Sequence, residues 1–270
     1  MGAAIMLASD GMAVAKHESD LEISVCGQLR EPLAFWLFRS SAGRTNAQQV
    51  RAIPGIEQVS FVTQDGRKLG GYKLRASEPR GYLLVAQGNA MLADQIIGEF
   101  EPFRRRGLDV YLYDYRGYGL SEGKSRLKAI VSDYRELVAA LNAQHYPRRF
   151  LYGMSMGGVI LLNAVGATNG YDAAVIDSSP SRISSLGCPE AYDPVNQLPA
   201  DCSRIKIIMG GERDHVVPPA DIEEMAAIAQ RCGAEVSRDP DYAHPFQDAF
   251  LETHRRRFKE VADFFARQQP

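Results

Sequence analysis

The chain has 270 residues, 45% of them hydrophobic, with 31 Lys and Arg against 33 Asp and Glu for a formal net charge of -2. That length and apolar content suffice for the core of one α/β domain of ordinary size, and the near-neutral balance excludes overall electrostatic attraction to nucleic acid or an anionic membrane. No window is apolar for the length needed to span a bilayer, which argues against an integral membrane protein.

Met1 to Ala8 is apolar and Ala13-Val14-Ala15 resembles a signal-cleavage site, but Asp10 interrupts the apolar region and no basic segment precedes it. The segment reads either as the remnant of an export signal or as a frayed end. Residues 1–50 lack a clear period and read as an extension on a main domain of residues 51–270. Within them, Pro32-Leu33-Ala34-Phe35-Trp36-Leu37-Phe38 is too apolar for solvent and is expected to pack on that domain.

Alternation at Val59, Phe61 and Thr63 predicts a strand over 57–63, Asp65-Gly66 supplies a hairpin turn, and a second strand returns over 69–75. Beyond that point short runs are apolar on both alternating faces, at 82–86, 110–113, 150–152, 174–176 and 205–209, as in parallel strands buried on both sides. Helical periods fall between or after them at 93–106, 127–144, 156–167, 220–231 and 248–266, and a last strand fits 234–238. Strand alternating with helix predicts an α/β fold: a mostly parallel central sheet of about eight strands, an N-terminal antiparallel hairpin, and helices on both faces. The basic runs Arg104-Arg105-Arg106 and Arg255-Arg256-Arg257 read as solvated helical faces, the former complementing a helix C-terminus before Gly107.

Gly153-Met154-Ser155-Met156-Gly157 lies where the run Phe150-Leu151-Tyr152 meets the helical run Val159-Ile160-Leu161-Leu162. Five residues of this kind recur by chance in surface turns. A strand before and a helix after make a sharp turn that exposes Ser155 as a nucleophile, with the first helical amides beside it. Serine needs a base to take its proton, and a carboxylate to hold that base in one tautomer. Loops following predicted strands supply Asp214, in Gly210 to Pro218, and His244, kept extended by Pro245. The order Ser155, Asp214, His244 is the one associated with this strand-turn-helix nucleophile. Asp177 is an alternative acid and His215 an alternative base, Asp214 then serving to cap the helix near Pro219; His17, His145 and His254 read as surface or near-surface residues. An oxyanion hole needs two converging donors, and the backbone N–H groups of Met156 and Asn89 are the candidates, with Gly88 readable as a turn glycine.

Cys26, Cys188, Cys202 and Cys232 allow three pairings if oxidised. A Cys188–Cys202 bridge would close a Pro-rich loop for about 3 kcal/mol and fit an oxidising compartment. The alternative is four reduced thiols in the cytosol; export is slightly favoured.

Asp114-Tyr115-Arg116-Gly117-Tyr118-Gly119-Leu120-Ser121, the Ser155 turn, the Asp214 loop and His244 together resemble the α/β-hydrolase superfamily, specifically its serine aminopeptidase-like and monoacylglycerol lipase-like branch, over residues 57–266. The resemblance implies the fold and the triad. It does not imply the substrate; the leading reading of the triad is ester or thioester hydrolysis through an acyl-enzyme on a small-molecule acyl substrate, with no metal or organic cofactor. Acyl transfer or amide cleavage on the same triad, and a non-catalytic ligand-binding protein, are the alternatives. Two departures stand out: Gln87 replaces a histidine common in the family, and only 177–204 is available for a cap. A short lid-like loop at 181–203 and an open acyl site are therefore expected, with residues 33–38 lining or covering part of it.

Overall fold

A computed structural model describes residues 20–166, 168 and 170–268. The Met1 to Ala8 segment, the Ala13-Val14-Ala15 site and His17 lie outside the described residues.

Among the described residues, eight strands form one sheet in the order β1-β2-β4-β3-β5-β6-β7-β8. They are β1 (Ile56–Val62), β2 (Lys68–Leu74), β3 (Gly81–Ala86), β4 (Leu108–Tyr113), β5 (Arg149–Met154), β6 (Ala173–Asp177), β7 (Ile205–Met209) and β8 (Glu235–Arg238). β1 with β2 and β2 with β4 are antiparallel, and every other pairing is parallel. The hairpin turns where Asp65-Gly66 places it: Gly66 has φ 79°, and Thr63 N–H donates to Arg67 O at 2.9 Å.

The helices are α1 (Arg30–Ala42), α2 (Ala47–Val50), α3 (Ala93–Ile96), α4 (Glu101–Arg104), α5 (Leu127–Asn142), α6 (Met156–Val165), α7 (Pro219–Arg231) and α8 (Leu251–Arg267). Alternating strand residues feed two cores. Leu84, Leu151, Ala174 and Ile207 pack with Ile130, Leu137, Ile160 and Ile222 on one face. Leu83, Val85, Phe150 and Val175 pack with Phe100, Phe258, Val261 and Phe265 on the other. Each such side chain contributes about 2 kcal/mol on burial, which is why strands apolar on both sides must lie in the middle layer. The chain leaves β3 for β4 on one side and returns as β5 on its other side, so direction reverses at the β3/β5 boundary. Open α/β sheets bind ligands outside the carboxyl ends of such a pair.

Four expectations need correction. The single helix over 93–106 is instead α3, a 3-10 turn (Ile97–Phe100) and α4. Pro102 has no N–H for an i→i−4 bond to the Gly98 carbonyl, which accepts from Glu101 N–H instead. The second is the basic run: Arg255 and Arg256 face solvent, but Arg257 is fully buried, because three successive helical residues span more than half a turn. In the other run, Arg104 and Arg105 both pair with Glu101.

The third concerns the apolar segment at 32–38. It forms most of α1, but only Phe35 turns fully inward, against Tyr118; Leu33, Trp36, Leu37 and Phe38 are exposed. The helix has apolar residues on opposite sides, and the domain covers one of them. Finally, the disulfides join Cys26 to Cys188 and Cys202 to Cys232, not Cys188 to Cys202. Cys202 N–H donates to Cys232 O at 2.8 Å, bringing the start of β7 beside the end of α7. Asp193 organises the intervening loop by accepting from the amides of Ile183 and Ser184, within a run of three short 3-10 helices over residues 184–197.

Candidate active site

Ser155 stands between β5 and α6 with φ 53° and ψ −121°, a conformation a non-glycine residue holds only when its surroundings impose it. They do so by backbone bonds: Ser155 N–H donates to Asp177 O at 2.8 Å, and Ser155 O accepts from Gly158 N–H at 3.0 Å and Ser179 Oγ at 2.7 Å. The turn is tight enough that a Cβ on Gly157 would sit 1.9 Å from Ala86 O, at the end of β3. Glycine two residues past the serine is therefore a packing requirement here.

Asp214, on the loop after β7, is buried and accepts from the amides of Val216 at 3.0 Å and Val217 at 2.8 Å. His244, on the loop after β8, brings Nδ1 to 3.0 Å from Asp214 Oδ2 and 3.1 Å from Oδ1. The two loops are tied together by Gly211 N–H donating to Tyr242 O at 2.7 Å. Burial alone would raise the Asp214 carboxyl, but the His244 hydrogen bond and charge and the two amides outweigh it and hold it below its ordinary range. With Nδ1–H donating to the carboxylate, Nε2 is left as the free acceptor. Among the described residues no hydrogen bond links the Ser155 hydroxyl to the imidazole.

Neither alternative stands in the same arrangement. Asp177 is fully buried and accepts from Tyr152 Oη at 2.8 Å, Arg257 Nη1 at 2.7 Å and Ser178 Oγ at 3.2 Å, leaving His244 to Asp214. His215 is exposed, as is His145. His254 is mostly covered, packed between Phe246 and Phe258.

The loop after β3 lies against the serine turn: a Cβ on Gly88 would be 3.7 Å from Ser155 Cβ. The amides of Asn89 and Met156 donate to no acceptor among the described residues. The Asn89 side chain is held in place, its Oδ1 accepting from Tyr118 Oη at 2.6 Å and from Ala90 N–H at 3.1 Å, with Ala90 itself at φ 60°. Gln87 is buried and donates to Tyr113 O at 3.1 Å, while its backbone carbonyl accepts from Tyr115 Oη.

Residue reading missed two supports. Tyr118, which anchors Asn89, lies inside the 114–121 motif that carries part of the family resemblance. Arg257 Nη2 donates to Ala243 O at 2.5 Å and to Asp248 Oδ1 at 3.0 Å, and Asp248 Oδ1 also accepts from Ala243 N–H at 2.9 Å. The peptide before His244 is thereby held from both sides. Among the described residues no group of three or more His, Cys, Asp or Glu is placed to hold a metal ion, and no helix is long and apolar enough to cross a membrane. A groove of about 730 Å3 beside α4 and α8, lined by Glu99, Arg105 and His254, includes none of the residues named for the site.

The family model described as "Serine aminopeptidase, S33" matches residues 77–200. Uncharacterized protein MT2364 of Mycobacterium tuberculosis is 30% identical over 200 residues, 66% of this chain and 68% of its own. Alpha/beta hydrolase domain-containing protein 17C of Xenopus laevis is 26% identical over 255 residues, 89% of this chain and 79% of its own. Among solved structures, the Pyrococcus furiosus esterase Pf2001 superposes with a TM-score of 0.64 at 17% identity, covering 78% of this chain and 92% of that one.

Proposed function

The chain belongs to the α/β-hydrolase superfamily, and from that premise we propose that this hydrolase cleaves carboxylic esters or thioesters of small-molecule acyl substrates through an acyl-enzyme on Ser155. His244 Nε2 takes the serine proton as Oγ bonds to the carbonyl carbon. The carbonyl oxygen becomes an oxyanion held by the Met156 and Asn89 amides, and Asp214 stabilises the imidazolium. The adduct collapses, the C–O or C–S bond breaks, and the leaving group departs with the proton from His244. Water then gives a proton to His244 as its oxygen bonds to the acyl carbon, and Ser155 Oγ leaves with that proton.

The observation that carries this reading is the 3.0 Å His244–Asp214 contact on the loops after β7 and β8, together with a serine held at positive φ after β5 of the same sheet. A serine and imidazole not yet bonded in a ligand-free enzyme commonly tighten in the Michaelis complex. On the same reading, residues 181–203 act as a short lid on a 51–270 hydrolase domain that carries residues 1–50 as an extension. Two disulfides fit export to an oxidising compartment.

The test is a fluorophosphonate probe on the folded chain, followed by turnover of nitrophenyl esters and acyl thioesters. Labelling at Ser155 is expected, lost in Ser155→Ala and slowed about 10³-fold or more in His244→Ala, with Tm nearly unchanged. Folded wild type that binds acyl ligands without labelling or turnover would make it a binding protein. The aminopeptidase family match favours a second reading, amide cleavage; aminoacyl amides turned over faster than the esters would establish it.

A further inference from the structure

Helix α1 has two apolar faces, and the domain covers one of them. At about 100° per residue, Glu31, Phe35 and Ala42 share the inward face, and all three are buried. Leu29, Leu33, Trp36 and Leu37 share the opposite face and are 86%, 56%, 53% and 51% exposed. An apolar stripe left in water on a surface helix marks a face that another apolar surface can cover. Ser40, on that outward stripe, returns its hydroxyl to Trp36 O at 2.8 Å, and Ser41 returns its own to Leu37 O at 3.0 Å. Neither hydroxyl needs water.

The charges around the stripe are one-sided. Between residues 27 and 51 the ionisable side chains are Arg30, Arg39, Arg44, Arg51 and Glu31. Glu31 is spent inside, accepting from the amides of Val25, Cys26 and Leu127 at 2.6–2.7 Å. Arg39, Arg44 and Arg51 are exposed with no carboxylate partner among the described residues. Arg30 and Arg39 project on either side of the stripe, and Arg30 Nη1 reaches Leu186 O at 2.9 Å, so the exposed Leu186 extends the apolar surface. The chain's net charge of -2 thus conceals a local run of cations, with Arg30 and Arg39 flanking the apolar strip and Arg44 and Arg51 following α1.

We propose that this face of α1 docks on an anionic lipid surface. Trp and Leu in the acyl boundary with arginines reaching the headgroups is the chemistry of an interfacial helix. A second copy fits less well, since a twofold pairing would set the flanking arginines against one another. The helix that carries this face rests by its other side on a support of the site: Phe35 packs on Tyr118, 6.5 Å between ring centroids, and Tyr118 holds Asn89. Resting on the acyl-hydrolase reading, this makes acyl groups at a bilayer surface the substrate class.

Trp36 is the one tryptophan in the chain, so its fluorescence reports the face directly. The full chain is mixed with phosphatidylglycerol-rich vesicles and with pure phosphatidylcholine vesicles. Expected are a blue shift of Trp36 emission and co-sedimentation with the anionic vesicles, weakened by salt. Co-sedimentation should fall about tenfold or more in Leu33→Ser/Leu37→Ser, whose substituted side chains are exposed, and in the charge reversal Arg39→Glu/Arg44→Glu. Absence of both signals with wild type overturns the proposal, as does equal binding to neutral vesicles. So does a dimer that shields Trp36 without lipid. Vesicle binding without fluorophosphonate labelling sinks the hydrolase reading alone; labelling without vesicle binding sinks this one alone.

Discussion

Replacing Arg257 by methionine separates a buried ion network from a solvated basic face. The guanidinium is fully buried, 2.7 Å from Asp177 and 3.0 Å from Asp248, and lies over the Tyr242 ring at 4.3 Å. Methionine keeps the apolar packing and removes the charge, leaving two carboxylates facing a site with no cation. Removing one partner of a buried pair costs about 3–5 kcal/mol. The cost has a pH signature. Burial raises the Asp177 carboxyl above its ordinary range, against the opposing pull of Arg257, Tyr152, Ser178 and His244, and loss of the guanidinium raises it further. A carboxyl raised in the folded state binds its proton more tightly there than in the unfolded chain. Stability is therefore lost as pH rises from the unfolded value, about 3.9, through the folded one, by about 1.4 kcal/mol per unit of added shift. Urea unfolding followed by circular dichroism should show the Arg257→Met defect larger near pH 8 than near pH 5. Asp177→Asn in the same chain should recover part of it. A loss below about 1 kcal/mol, or one equal at the two pH values, would refute the reasoning.

Gly157→Ala puts a methyl group 1.9 Å from Ala86 O and 2.5 Å from Ala86 C; the contact is backbone on backbone, so a stability loss of at least about 3 kcal/mol and loss of fluorophosphonate labelling are expected, and an unchanged Tm would contradict the packing argument. The Cys202–Cys232 bridge spans 30 residues, which in the chain-entropy account is worth about 3–4 kcal/mol. The double serine variant should lose that much in urea unfolding under non-reducing conditions, and a loss below about 1 kcal/mol would assign the stabilisation elsewhere.

What the sequence revealed tracks which interactions are local. The Asp65-Gly66 turn and the two-faced apolar strands are each written within a few residues and can be read directly; Gly157 is legible from its spacing to Ser155, although the backbone it must clear, at Ala86, belongs to another strand. Asp214 and His244 could be nominated from their loops, but their 3.0 Å approach depends on β7 and β8 being paired in parallel. Pairing of Cys26 with Cys188 joins positions 162 residues apart, and no spacing rule reaches that far. Arg257 was hidden by its neighbours: in a run of three arginines, composition says solvent, and only the helix phase of α8 against β6 turns one of them inward. The strip of α1 is legible as apolar in the sequence; which of its faces turns inward is not, because hydrophobicity fixes a need for cover without saying which element supplies it.

The sheet ends differently on its two sides. β8 is four residues long, and two of them, Glu235 and Arg238, are charged and already engaged with Lys206, Arg267 and Glu223. A foreign strand finds little to pair with there. β1 offers seven residues with Glu57 as their only charge and Val62 exposed. Growth by strand addition therefore has one open direction. Concentrated solutions of this chain should begin to aggregate from the hairpin rim, and a lysine placed there would protect against it at little cost to the interior.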